Sequence, residues 1–573
     1  MATAEKPIDV PWPVSSFPGA SPQESAGRLI NVYAEPLGSQ QPAVPGLPAK
    51  SKIVWRRSPG MSQHAITAQS GYRGGLIVNN LSYEIFSGQA LTVDANGVVN
   101  VLGALTGTQG VSIARNNAAA PNIIAVDLGN GAFRLDTGGA PIAFNAGGIL
   151  PQAKCVCFQD GYLFFGIADR RVFATGINNL TVNALTFVSV QAKSSDNLMR
   201  IIPFGGLLFI FCTSATEVWQ DTAQPSPGFP YSRLVVLEYG LAQENAIAGF
   251  EDGFGVLHWV AQDFGVYQLQ PGSLAPTKVS PPDLDRLIEA AIKAGVLLDV
   301  AVYIFAGKKF FVVSSSTWSW EFNLQTQKWN ERASLQANGL FGRWRVQRSH
   351  PAFGKWLCGD TLTGNLLYID DSNFTENGAV LRARMESGPV EDFPNRQRIP
   401  RADFDFVTGV GQQVNNILMN VTGTAAGTGG AVRLTVNSTV GVVTGDTLLV
   451  ANVGGTVEAN GTWPAIVIDA THVELQGSVF VHAWTAGGTA TDVTATDSMV
   501  NPQVAISISK DGGQNWSPPW LRLLGPQGKA NQRVKVGPAG QSGTQGVRWR
   551  WDVSAPVYTA FQGATMSDDP RVK

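Results

Sequence analysis

The stretch Cys155-Val-Cys-Phe-Gln-Asp160-Gly161-Tyr162-Leu-Phe-Phe165 sets two short apolar runs on either side of an Asp-Gly pair. Aromatic and β-branched residues favour strands, and Asp-Gly supplies the positive φ angles of a tight hairpin turn. The arrangement recurs. Gly205-Gly206 divides Ile201-Ile-Pro-Phe from Leu207-Leu-Phe-Ile-Phe, and Asp252-Gly253 precedes Val256-Leu-His-Trp-Val. Gly307 divides Val302-Tyr-Ile-Phe from Phe310-Phe-Val-Val, and Gly354 precedes Trp356-Leu-Cys. Turns at 161, 206, 253, 307 and 354 lie 45, 47, 54 and 47 residues apart. One four-stranded propeller blade takes about 40–50 residues. The repeat predicts an all-β chain built on an irregular β-propeller of six or seven blades. Leu76-Ile-Val-Asn, Glu84-Ile-Phe, Ile123-Ile-Ala-Val and Phe133-Arg-Leu supply the earlier blades. A pair of β-sandwiches is the structural alternative, since it too uses short strands and frequent turns.

Outside the repeat the pattern changes. The proline-rich first 60 residues, from Pro7 to Pro59, read as an extended arm (1–63) able to wrap another surface. The propeller is expected over 64–375, a C-terminal β domain over 376–412 and 497–573, and an inserted module over 413–496. One helix is predicted after Pro281-Pro282, capped by Asp283, with Leu284, Leu287, Ile288 and Ala291 on one face. Glu289 and Lys293 pair within it, and Gly295 ends it.

Composition narrows the class. The 573 residues carry 41 Lys+Arg against 43 Asp+Glu, a net charge of −2, and only 15% are charged, against about 25% in ordinary soluble proteins. An apolar share of 44% excludes disorder, and the near-zero charge argues against gripping nucleic acid over the whole surface. The total hides a cancellation. Residues 413–496 hold one basic and five acidic side chains, and residues 501–573 hold nine basic and four acidic. No secretory signal opens the chain, and no window approaches the ~18 apolar residues of a membrane helix, so a soluble protein made in a cytoplasm, with no membrane span, is expected. Cys155 and Cys157 fall on one strand face and, with Cys212 and Cys358, read as small core residues in a reducing compartment.

The search for chemistry finds little. His64, His258, His350, His472 and His482 are scattered without metal-ligand spacing, and His258 reads as a satisfied core residue. No phosphate loop, dinucleotide fingerprint or nucleophile elbow is present. Ser509-Lys-Asp511-Gly-Gly513-Gln-Asn515-Trp516 resembles the Asp-box hairpin of sialidases, but a single copy reads as a structural turn. Two arginine groups, Arg343/Arg345/Arg348 and Arg396/Arg398/Arg401, read as a phosphate-contacting stripe or as inter-subunit or domain-junction ion pairs. The second reading is favoured by ten acidic residues in 331–412. No catalytic, cofactor-binding or metal-binding residue is assigned, no cofactor is expected, and DNA-facing residues stay unassigned.

Arg28-Leu-Ile-Asn-Val-Tyr-Ala-Glu-Pro36 with Pro45-Gly46-Leu47, Ser214-Ala-Thr-Glu-Val-Trp-Gln220, Leu237-Glu-Tyr-Gly240 and His258-Trp-Val-Ala-Gln-Asp-Phe-Gly-Val-Tyr267 occur in that order. Downstream come the Asp-box segment, Leu524-Gly525, Gly528 and Val547-Arg-Trp-Arg-Trp551. This series resembles the tail nozzle proteins of short-tailed phages, also called packaged-DNA stabilisation proteins or tail accessory factors. The resemblance spans most of 27–412 and 497–565. It implies a propeller, a closing β-sandwich and a structural, non-enzymatic role in the virion tail. It further implies a homohexameric ring below the portal/adaptor that extends the DNA channel, helps retain packaged double-stranded DNA and docks tail fibres or spikes. A tail plug or needle is a further partner. The block at 413–496, with Val443-Thr-Gly-Asp446 and Asn460-Gly-Thr-Trp463, departs from the family and resembles a small β-barrel module of phage proteins, read as a surface domain. Two alternatives stand beside the nozzle: a propeller glycosidase or depolymerase acting on host-surface polysaccharide, and a receptor-binding tail fibre.

Overall fold

In the computed structural model, residues 6–40, 50–67, 69–190, 196–225, 227–392, 395–411, 417–440, 442–494 and 497–568 are described. Seven four-stranded antiparallel blades follow one another around a ring, five as separate sheets and two within larger sheets of nine and six strands. Blades 1 to 6 occupy 72–104, 111–144, 153–189, 198–237, 247–278 and 299–331. Blade 7 takes three strands from 346–370 and a fourth, Gly60–Ile66, from near the N-terminus, paired to Asn365–Asp370. The first strand of each blade lies innermost. Tyr72, Phe86, Leu91 and Val93 of blade 1 share a core with Ala65, Leu357 and Leu366 of blade 7, so the ring closes by packing as well as by pairing.

The turn chemistry is as the residues dictate. Asp160 and Gly161 have φ of 48° and 91°, Gly205 and Gly206 of 60° and 78°, and Phe353 and Gly354 of 53° and 70°. Such paired positive angles match the twist of the flanking strands. The helix runs Pro282–Lys293 with Leu284, Ile288 and Ala291 buried, a Glu289–Lys293 ion pair at 2.6 Å and Gly295 at φ 73°. Its N-cap is Pro281 rather than Asp283. Pro282 presets helical φ one position earlier, which leaves Asp283 in the first turn, where its Oδ2 accepts the Gly19 N–H at 3.2 Å.

Residues 1–63 were expected to form an extended arm; the described part is instead built into the chain's own sheets. Lys6–Asp9 pairs with Ala560–Asp568, and Val32–Gln40 with Lys50–Arg57. Arg28–Ile30 joins Lys328–Glu331 of blade 6 to Ala383–Glu386, making one nine-stranded sheet. Gly60–Ile66 crosses the boundary expected at 63/64. Proline does not oppose this, because Val32–Gln40 is an edge strand and Pro36 needs no ladder partner on its outer side. Pro45-Gly46-Leu47 lies outside the described residues.

The sheet Ala383–Glu386, Arg548–Val553, Gln503–Ser509, Trp520–Leu523 faces a second sheet containing Ala402–Phe406 and Ala560–Asp568. Leu29, Met385, Phe404, Trp549, Trp551 and Phe561 fill the core between them, a β-sandwich. Residues 418–492 form a closed six-stranded barrel around Val432, Leu434, Leu448, Val450, Val473 and Leu475. No helix among the described residues is long and apolar enough to cross a membrane.

Candidate functional site

All seven innermost strands converge on the ring axis, where they enclose a cavity of about 430 Å³. Tyr72, Val111 to Arg115, Val156, Arg200, Ile247, Val300 and Arg348 to Pro351 bring one residue or more from every blade to its wall. Four inner strands carry a bulge near their start, around Arg73, Lys154, Met199 and Arg348. A bulge re-aims side chains, and a cation stands at or next to each one, of which Arg200 and Arg348 border the cavity.

These cations tie the blades together. Arg73 forms a buried ion pair with Asp127 of blade 2 and donates to the Gln109, Ser87 and Leu105 carbonyls. Lys154 donates to the Leu198 carbonyl at 3.2 Å and pairs with Glu244 at 3.4 Å. Arg200 donates to Asn245 Oδ1 at 3.0 Å. Arg348 crosses the axis: it donates to the same Asn245 Oδ1 at 3.3 Å, approaches Asp299 at 3.8 Å and covers Gly110, just before blade 2. A Cβ on Gly110 would sit 1.9 Å from Arg348 Nη2. The hub is therefore plugged at this level. Burial, then the charge on Arg348, depresses the pKa of Arg200, and burial depresses that of Arg348.

Beside the plug lies a closed polar network. The Tyr72 hydroxyl donates to Glu84 Oε2 at 2.9 Å and Ser82 Oγ donates to Glu84 Oε1 at 2.6 Å. His350 meets the same hydroxyls, Nδ1 at 3.0 Å from Tyr72 and Nε2 at 2.9 Å from Ser82. All four side chains are buried, so the network closes among its own members. Gly75 roofs this network; a Cβ there would lie 2.1 Å from Glu84 Oε2 and 2.7 Å from the Tyr72 hydroxyl. On the opposite wall, burial pushes the Glu251 carboxyl up to about 7, although its Oε2 accepts the Gly249 N–H at 2.6 Å.

The residues singled out in sequence distribute unevenly. Arg343 binds Asp299 at 3.1 Å, and Arg345 engages Asp360 through two nitrogens inside blade 7. That group makes ion pairs within the propeller, and Arg345 also donates to the Glu376 carbonyl just beyond it at 2.8 Å. Arg401 is exposed and pairs with Asp403 at 2.7 Å; Arg396 and Arg398 are exposed. The Asp-box segment is a turn in the sandwich. Asp511 accepts the Asn515 N–H at 2.9 Å, which holds its carboxyl down at about 2, and Arg550 stacks over Trp516 at 4.4 Å. His258 is fully buried and stacks on Phe311 at 4.9 Å; burial pushes it down to about 4. The four cysteines are buried and free, with Cys155 and Cys157 in one core cluster and both thiols pushed up by burial.

Arg73, Lys154, Arg200, Asn245 and Glu251 were not singled out from sequence. A signal existed: Arg73, Lys154, Arg200 and Arg348 stand six or seven residues before Asn80, Gly161, Gly206 and Gly354 in the hairpin turns of their blades. Aligning the repeats on their turns would have brought the cations into register.

The family described as "Bacteriophage P22 Gp10, beta-propeller" matches residues 41–373. No curated protein matches the chain. Among solved structures, a streptogramin B lyase aligns over 54% of this chain and 97% of its own, at 10% identity and a TM-score of 0.37. The WD40 β-propeller domain of Doa1 aligns over 54% and 96%, at 9% identity and 0.35.

Proposed function

Because this chain belongs to the phage stabilisation family of the P22 Gp10 β-propeller, we propose that it is the tail nozzle of a short-tailed phage. In this reading six copies form a ring below the portal/adaptor and extend the DNA channel. The ring helps retain the genome, docks fibres or spikes, and meets a plug or needle at its far end. Synthesis takes place in the cytoplasm of the bacterial host.

The observation that carries the reading is the family match over 41–373, which spans the propeller. The plugged hub adds a constraint. A cavity of about 430 Å³ is of small-molecule size and admits no duplex, so DNA would run between copies and not through a propeller. Weak surface charge suits a conduit, since each phosphate neutralised by Lys or Arg would strengthen the hold on DNA. Stitching of Arg28–Ile30 between blade 6 and the sandwich suits a part that transmits load.

Imaging of purified virions, with native mass spectrometry of released tails, tests the reading. A six-fold ring of this chain between adaptor and fibres is the expected result. A trimer at a fibre tip would favour the receptor-binding alternative. A monomer that cleaves host polysaccharide would favour the depolymerase.

A further inference from the structure

The hub holds positive charge that the chain itself does not neutralise. Arg200 is only 9% exposed, forms no ion pair among the described residues, and has a buried Nε without a hydrogen-bond acceptor. Arg348 is in the same condition at its own Nε. Arg200 donates to Asn245 Oδ1 at 3.0 Å and to the Glu244 carbonyl at 3.4 Å, and Arg348 donates to the same Asn245 Oδ1 at 3.3 Å, all of them neutral acceptors. The carboxylate nearest to Arg348, Asp299 at 3.8 Å, is already bound to Arg343 at 3.1 Å. Glu251, the acid beside them, is driven toward its neutral form by burial. Two adjacent buried guanidinium groups repel, and an unneutralised buried charge is among the costliest features a fold can carry. Arginine forks bind oxyanions through parallel, charge-assisted hydrogen bonds. The cavity they border is walled elsewhere by Leu76, Ile77, Val156, Ile202 and Phe250.

We propose that the hub of the propeller is a binding site for a small molecule carrying a carboxylate or phosphate group, with Arg200 and Arg348 receiving the oxyanion and the aliphatic wall receiving its apolar portion. The site is independent of the nozzle reading and holds in a single chain. Its bound anion joins blades 4 and 7 across the axis and so tightens the ring.

Calorimetric titration of the full chain with inorganic phosphate, succinate and benzoate, at ionic strength matched by sodium chloride, reads the site. At least one probe should bind with one site per chain and raise the melting temperature with concentration. Arg200→Gln should weaken that binding at least about tenfold, the loss expected for one charge-assisted contact. A crystal soaked in para-iodobenzoate needs no variant and should show iodine in the hub. Absence of binding by all three probes overturns the proposal, as does unchanged affinity in Arg200→Gln. Iodine found only elsewhere on the surface also overturns it.

Discussion

Gly75 is a residue whose smallness is dictated by what lies beneath it. Any Cβ there meets the Glu84 carboxylate and the Tyr72 hydroxyl, neither of which has room to withdraw from the closed network with Ser82 and His350. Gly75→Ala should cost about 2–4 kcal/mol, measured by chemical unfolding, whereas Gly71→Ala, with open space around its Cβ, should cost only the strain of its positive φ. Two titrating residues oppose one another. His258 is held neutral, so its contribution is complete above about 6.5 and is lost as pH falls toward about 4, worth about 3 kcal/mol in all. Glu251 is held protonated, so its contribution is complete below about 4.5 and is lost as pH rises toward about 7. Between pH 4 and 7 the wild-type melting temperature should therefore change little on their account. His258→Phe should become relatively more stable toward acid, and Glu251→Gln relatively more stable toward neutral pH. Parallel profiles for wild type and both variants would refute the assignment.

At the scale of elements, the strand Gly60–Ile66 decides whether the propeller is a ring or an open arc. Met61 on it is fully buried in the core that also holds Val302, Trp356 and Leu367. Met61→Asp buries an unpaired charge there and should cost about 3–5 kcal/mol. Hydrogen exchange should rise first in 60–66 and 346–370, and uniform loosening of all blades would speak against a local clasp. The motif Arg28 to Pro36 gains its meaning at this scale. Asn31 donates to the Ala333 and Arg382 carbonyls at 2.7 and 2.8 Å, and Arg28 binds Glu331 at 2.6 Å, so the motif is the seam between propeller and sandwich. Gly240, in another motif, lies so close to the Thr213 carbonyl (2.3 Å from a Cβ) that blades 4 and 5 could not meet with any other residue there.

For the whole molecule, the barrel is a separable body. Its six strands close on themselves, and its core draws only on residues 417–490. The flanking segments meet in the sandwich, where the Gly409 N–H donates to the Leu524 carbonyl at 2.7 Å and the Gly411 N–H to the Gly525 carbonyl at 3.0 Å. Replacing 412–496 by a short Gly/Ser linker should therefore leave the melting temperature of the rest within a few degrees of the wild type, by calorimetry. A collapse of the propeller transition would show that the barrel supports it.

The sequence by itself determined what depends on near neighbours. Alternating apolar residues specify strands, Asp160-Gly161 and Gly205-Gly206 specify hairpins, and their spacing specifies blades, because each of these preferences acts over a few residues. Tertiary structure alone decided what depends on distant ones. That Gly60–Ile66 completes a blade begun at residue 346 follows from ring closure, which no local pattern encodes. That the proline-rich start serves three sheets follows from edges left unpaired elsewhere in the chain. The hub is the sharpest case. Arg200, Asn245 and Arg348 are separated by up to 148 residues and meet only because seven inner strands share one axis. Charge on such an axis becomes a site through proximity and burial, and neither can be read from residues taken singly.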